Sequence, residues 1–171
     1  TLIPHKNEQA ALYGDRTASP FYRSLNGTWK FKWFKKPGDA NINFYNVKFD
    51  DADWDTIPVP GSWQLQGYGI PIYTNILYPF RPVDPPHIPH DNNPVGCYKR
   101  SFEIPADWND RQIFLHFEGV KSAFYVWING QEVGYSQGSA TPDEFNITSF
   151  LKPGVNSIAA KVFRWSDGSY L

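Results

Sequence analysis

A chain of 171 residues, 41% of them hydrophobic and 19% charged, is long enough for one domain with a sizeable core and short for two. Its net charge of −1 removes the electrostatic basis for binding nucleic acid or an anionic lipid surface, so a small-molecule partner is expected to be neutral. Cys97 is the only cysteine, which excludes an internal disulfide, and the sequence shows no signal peptide or membrane-spanning run. The expectation is a soluble protein with no membrane partner, from the cytoplasm or a bacterial periplasm, with the compartment left open.

Residues 1–23 are polar, lack a clean period, and read as an arm laid over a domain that occupies 24–171. Thr28–Phe34 changes character: Trp29, Phe31 and Trp33 alternate with Lys30 and Lys32, the pattern of a half-buried strand. Residues 35–60 read as a long connection with an acidic middle. Asp51, Asp53 and Asp55 have the opening spacing of a calcium loop, but Thr56 stands where its glycine belongs and Ser62 where its glutamate belongs. A surface turn capped by carboxylates is the better reading.

The stretch from Pro58 to Asn75 sets Trp63, Tyr68 and Tyr73 among glycines, prolines and amides. Flat aromatic faces suit the C–H side of a sugar ring, and amides suit its hydroxyls. Loop aromatics also pin loops to a core, so both readings stand for these three rings. The prolines continue through Pro94, without a sustained period from 61 to 96, and a connection of that length is usually functional. His87 and His90 flank a proline that prevents a helix from presenting both rings to one metal.

The second half is regular. Cys97–Ile104 alternates, and Arg111–Glu118 places Ile113, Leu115 and Phe117 on one face. Ala123–Ile128 and Gln131–Ser136 flank Asn129-Gly130, a strong hairpin signal because both positions accept positive φ. Ile147–Leu151 leads into Pro153-Gly154, and Ser157–Trp165 forms a last strand with Ile158, Ala160 and Val162 together. Short strands between turn signals predict an all-β fold: an antiparallel two-sheet sandwich, a jelly roll. No pair of carboxyls stands out as the acid and nucleophile of glycoside hydrolysis, and no Ser or Cys nucleophile arrangement is present.

Several segments, in order, resemble the N-terminal sugar-binding domain of the β-galactosidases of glycoside hydrolase family 2. They are Ser24–Phe31, Trp63-Gln64-x-x-Gly67-Tyr68, Pro71-Ile72-Tyr73-Thr74-Asn75 and Asn93-Pro94-x-Gly96-Cys97-Tyr98. They continue with Gly119-Val120-x-Ser122-Ala123-Phe124, Trp127-x-Asn129-Gly130, Val133-Gly134-Tyr135-x-Gln137 and Arg164–Leu171. The resemblance implies a non-catalytic domain of a larger homo-oligomeric enzyme that hydrolyses terminal β-D-galactosides such as lactose with retention. The catalytic glutamates would lie in a separate barrel domain, so the fragment alone is expected to be inactive. Asn75 matches the family's substrate-contacting asparagine, whereas the residues alone favour a loop cap. Gln137 and Asp167 match two ligands of a peripheral magnesium site, and an aspartate holding sugar and sodium would follow Leu171. The alternatives are an autonomous carbohydrate-binding module, or a purely structural or oligomerisation domain of a β-glucuronidase or β-mannosidase type.

Overall fold

In the computed structural model, which describes residues 2–40 and 42–170, the alternating stretches become strands. They are β1 (Gly27–Phe34), β2 (Asp55–Val59), β3 (Val95–Glu103), β4 (Phe114–Phe117), β5 (Ala123–Ile128), β6 (Gln131–Ser136), β7 (Asp143–Asn146) and β8 (Val155–Phe163). Six of them form one antiparallel sheet in the order β2-β1-β3-β8-β5-β6, and β4 pairs with β7 in a second sheet. The fold is all-β, as the alternation predicts.

Period-two alternation gives the large sheet two apolar faces. On one face Phe31, Ile57, Phe124, Val126, Ile128 and Ile158 are fully buried, and Leu115, Phe117 and Phe145 of the small sheet close over them. The rings of Phe117 and Phe145 approach Phe124 at 4.8 and 6.0 Å, both edge-on. Gly134 is glycine for this packing, since a Cβ there would lie 2.8 Å from the Phe145 ring.

The opposite face carries Val95, Cys97, Trp127 and Ala159, covered by Ala40, Phe44 and Trp54. Those last three come from the connection after β1, which is therefore the lid of a second core. Tyr45 stacks on Trp127 at 4.9 Å. Lys99, only 8% exposed, pairs with Asp51 at 2.9 Å, and Lys161 donates to the Ala40 carbonyl at 3.0 Å. Burial in this layer pushes the Cys97 thiol up to about 12, so it stays protonated and inert.

The β5–β6 hairpin turns at Asn129 and Gly130, with φ of 52° and 83°. The Asn129 amide donates to the Phe150 carbonyl and Asn156 Oδ1 and accepts from the Ser157 N–H. One side chain thus ties the turn to the start of β8.

Three sequence expectations change. The arm is not wholly irregular: Glu8–Tyr13 forms a short helix, α1, capped by Asn7 and ended by Gly14 at φ 76°. The 35–60 connection contains β2. Ile147–Leu151 is a turn around Thr148–Phe150, and the strand lies just before it as β7. The arm is held to the small-sheet side by the Arg16–Glu118 ion pair, by Trp108 Nε1 donating to the Pro20 carbonyl, and by Arg111 over the Phe21 ring.

Candidate functional site

The chain leaves β2 at Val59 and returns at Val95, and the loop between holds most of the residues singled out from the sequence. Its first part turns inward. Trp63 is 5% exposed, with ring centroids 6.2 Å from Phe31 and 6.4 Å from Tyr98. Its six-membered ring lies over Gly96, where a Cβ would be 2.5 Å away. A sugar needs an open ring face, and Trp63 has none. It is a core residue, which corrects its reading as a sugar platform.

Tyr68 is half-buried, edge-on to Phe31 at 4.8 Å, and its hydroxyl donates to Asp55 at 3.1 Å. Burial, aided by that carboxylate, raises the phenol above its usual range. Its ring is committed to the core edge and pins the loop. Tyr73 behaves oppositely: it is 89% exposed.

From Ile70 to Tyr78 every residue is exposed, including Asn75. The Thr74 hydroxyl donates to the Leu77 carbonyl and closes a tight turn around Asn75. The exposed Asn75 amide has no hydrogen-bond partner among the described residues, so both its donor and its acceptor are open to solvent.

Both ends of this stretch are tied to the segment that follows β8. Arg164 donates through Nη2 to the Ile70 carbonyl at 2.8 Å, with its guanidinium over the Trp165 ring. Burial draws that guanidinium below its ordinary value, though arginine stays charged. At the other end, Tyr78 donates to the Tyr170 carbonyl at 3.0 Å. The Tyr170 hydroxyl donates to the His87 carbonyl at 2.6 Å and accepts from the Asp84 N–H at 3.3 Å. Phe80, 3% exposed, sits among Tyr78, Trp165 and Tyr170. Buried Asn93 then locks the return: it donates to the Trp165 carbonyl and accepts from the Trp165 N–H, both at 2.9 Å.

Sequence reasoning named Tyr170, Arg164 and Asn93 within motifs but read no role for them. Their partners lie 72–94 residues away, and one chain carries no local signal of such pairings.

Gln137 and Asp167 both act on Tyr135. The Tyr135 hydroxyl donates to Gln137 Oε1, while burial, then the Asp167 charge, raises that phenol. Two oxygens, one already engaged, fall short of the roughly six that magnesium takes. No group of three or more acidic, His or Cys residues suited to a metal occurs among the described residues. Nor is any described helix long and apolar enough to cross a membrane.

Residues 22–171 match the profile of the family described as glycosyl hydrolases family 2, sugar binding domain. The chain is similar to a beta-galactosidase of Priestia megaterium, 47% identical over 99% of this chain and 17% of that protein. It is also similar to one of Psychromonas ingrahamii, 48% identical over 96% of this chain and 16% of that protein. The chain therefore spans 16–17% of the length of these relatives. Among solved structures, a β-glucuronidase from Ruminococcus gnavus in complex with an N1-substituted uronic isofagomine superposes with a TM-score of 0.59. It is 23% identical, over 82% of this chain and 21% of that one, a likeness that concerns the fold alone.

Proposed function

The chain belongs to the sugar-binding domain family of the family 2 glycosyl hydrolases, and from that membership we propose that it forms one edge of a galactoside site. In this reading it is a non-catalytic part of a longer β-galactosidase that hydrolyses terminal β-D-galactosides such as lactose with retention. The observation that carries the proposal is Asn75, outward-facing on a closed turn, in a loop anchored at both ends.

The chemistry suits a neutral polyol. The Asn75 amide donates to one sugar hydroxyl and accepts from another, which a carboxylate cannot do. The ring of Tyr73 offers an apolar face nearby in sequence for the C–H side of a sugar. Retaining hydrolysis requires two carboxyl groups about 5–5.5 Å apart across the scissile bond. We assign those groups to another part of the longer protein, and this chain's contribution is orientation and recognition. The relatives named beta-galactosidase support a galactoside as the sugar of this site.

A second role for the same loop rests on its apolar surface. Ile70, Leu77 and Ile76 are 72%, 63% and 86% exposed, which suits a surface covered by the remaining domains.

The test is Asn75→Ala in the full-length protein. The expected outcome is about a tenfold or larger fall in kcat/KM for galactosides, with unchanged thermal stability, as for a lost sugar hydrogen bond. Unchanged kinetics would remove Asn75 from the site.

A further inference from the structure

We propose that Arg164 and Tyr170 are positioning residues that hold the Asn75 turn against the end of β8. This rests on the reading of Asn75 as a sugar contact.

The observations are geometric. β8 is an interior strand of the large sheet, paired with β3 on one side and β5 on the other. The backbone that continues from it is fixed by the Arg164 N–H donating to the Pro94 carbonyl at 2.9 Å and by both ends of the Asn93 amide. It is the rigid wall beside an otherwise exposed loop.

From that wall, Arg164 and Tyr170 reach the two ends of the exposed stretch. Through its side chain, Arg164 binds the carbonyl of Ile70, where the stretch begins. Tyr170 takes the other end through its backbone carbonyl, which accepts from Tyr78, and its hydroxyl fixes the segment just beyond by bridging the Asp84 N–H and the His87 carbonyl. Its ring meets Tyr78 edge-on at 4.9 Å and Phe80 at 5.2 Å. Between the anchors, the Thr74–Leu77 contact is the only side-chain hydrogen bond among the described residues, so the position of Asn75 depends on where its ends are held.

This matters because a recognition amide acts only at hydrogen-bonding distance and angle. A displacement of about 1 Å at a site can cost on the order of a hundredfold in rate. An exposed loop with one end released samples a wider range than that. Arg164 and Tyr170 touch no sugar themselves; they act through Asn75.

The role is separable from simple stability. Tyr170→Phe deletes the hydroxyl bridge and keeps the ring packing. Arg164→Gln removes the guanidinium from the Ile70 carbonyl and leaves the backbone bond to Pro94. Each variant is made in the full-length protein, alone and combined with Asn75→Ala. Amide hydrogen exchange over 70–87 and galactoside kinetics are then read together.

The proposal expects faster exchange over this stretch in both single variants and about a tenfold fall in kcat/KM for Tyr170→Phe. It further expects Asn75→Ala combined with Tyr170→Phe to be no slower than Asn75→Ala alone, because the anchor works only through that amide. Additive losses in the double variant would overturn the proposal and make Tyr170 a general stabiliser. Unchanged exchange and kinetics in both anchor variants, with Asn75→Ala impaired, would overturn the anchors and leave the Asn75 reading intact. If Asn75→Ala itself leaves kcat/KM unchanged, the sugar reading fails and the positioning role falls with it.

Discussion

Gly96 carries no side chain because the indole of Trp63 occupies the space above it. A Cβ at that position would also come within 2.8 Å of Phe31, so neither neighbour can yield alone. Gly96→Ala is expected to lower unfolding free energy by about 1–3 kcal/mol, read as a shifted urea midpoint with an unchanged slope. Trp63→Ala is expected to cost about 3–5 kcal/mol, the loss typical of a buried tryptophan. A Trp63 substitution that weakened sugar recognition without loss of stability would contradict its burial. The sequence offered no way to separate Trp63 from Tyr73, since both are aromatic and both sit in one glycine- and proline-rich run. What separates them is Gly96, distant in the chain, which opens a slot for one ring only. Asn75 was singled out through resemblance, whereas its residue type alone favours a loop cap.

At the scale of elements, period-two alternation made β1, β3 and β8 readable, and the Asn129-Gly130 turn made β5 with β6 readable. β2 was hidden by Pro58, yet as the edge strand of its sheet it tolerates a residue with no N–H to donate. β7 is short and opens with Asp143 and Glu144, which read as turn. The lid after β1 was legible only as a connection, since its apolar residues have no strand or helix period.

That lid is fastened by an ion pair between buried Lys99 and Asp51, whose side chain is 28% exposed, which gives a prediction. Asp51→Ala leaves Lys99 without its carboxylate and donating only to the Phe49 carbonyl at 3.4 Å, and about 1–3 kcal/mol of stability should be lost in chemical denaturation. Lys99→Met with Asp51→Ala should recover most of it, because an apolar side chain needs no partner there.

The arm is fastened differently, at an exposed pair. Arg16 hydrogen-bonds the Glu118 carboxylate and holds it below its ordinary value of 4.5. A depressed carboxylate contributes stability that is present above the unfolded-state value and is lost as pH falls through the folded one. Docking of residues 2–23 should therefore weaken below about pH 4.5, seen as faster proteolysis of the arm. Glu118→Gln should show that faster proteolysis already at neutral pH and lose the acid step.

At the scale of the molecule, one sheet with two covered faces provides a rigid frame, and the exposed chemistry is confined to one loop end. The strands of that frame bring Arg164, Trp165 and Tyr170 beside a loop 72–94 residues earlier in the chain. The fold class was legible because alternation is local; the anchoring was not, because it is a product of topology. Whether this loop end meets the sugar is read most directly from a structure of the full-length protein with a bound galactoside. The Asn75 amide is expected within about 3 Å of a sugar hydroxyl, with Arg164 and Tyr170 still holding the loop. A galactoside bound in the catalytic cleft with Asn75 far from every sugar oxygen would contradict this reading.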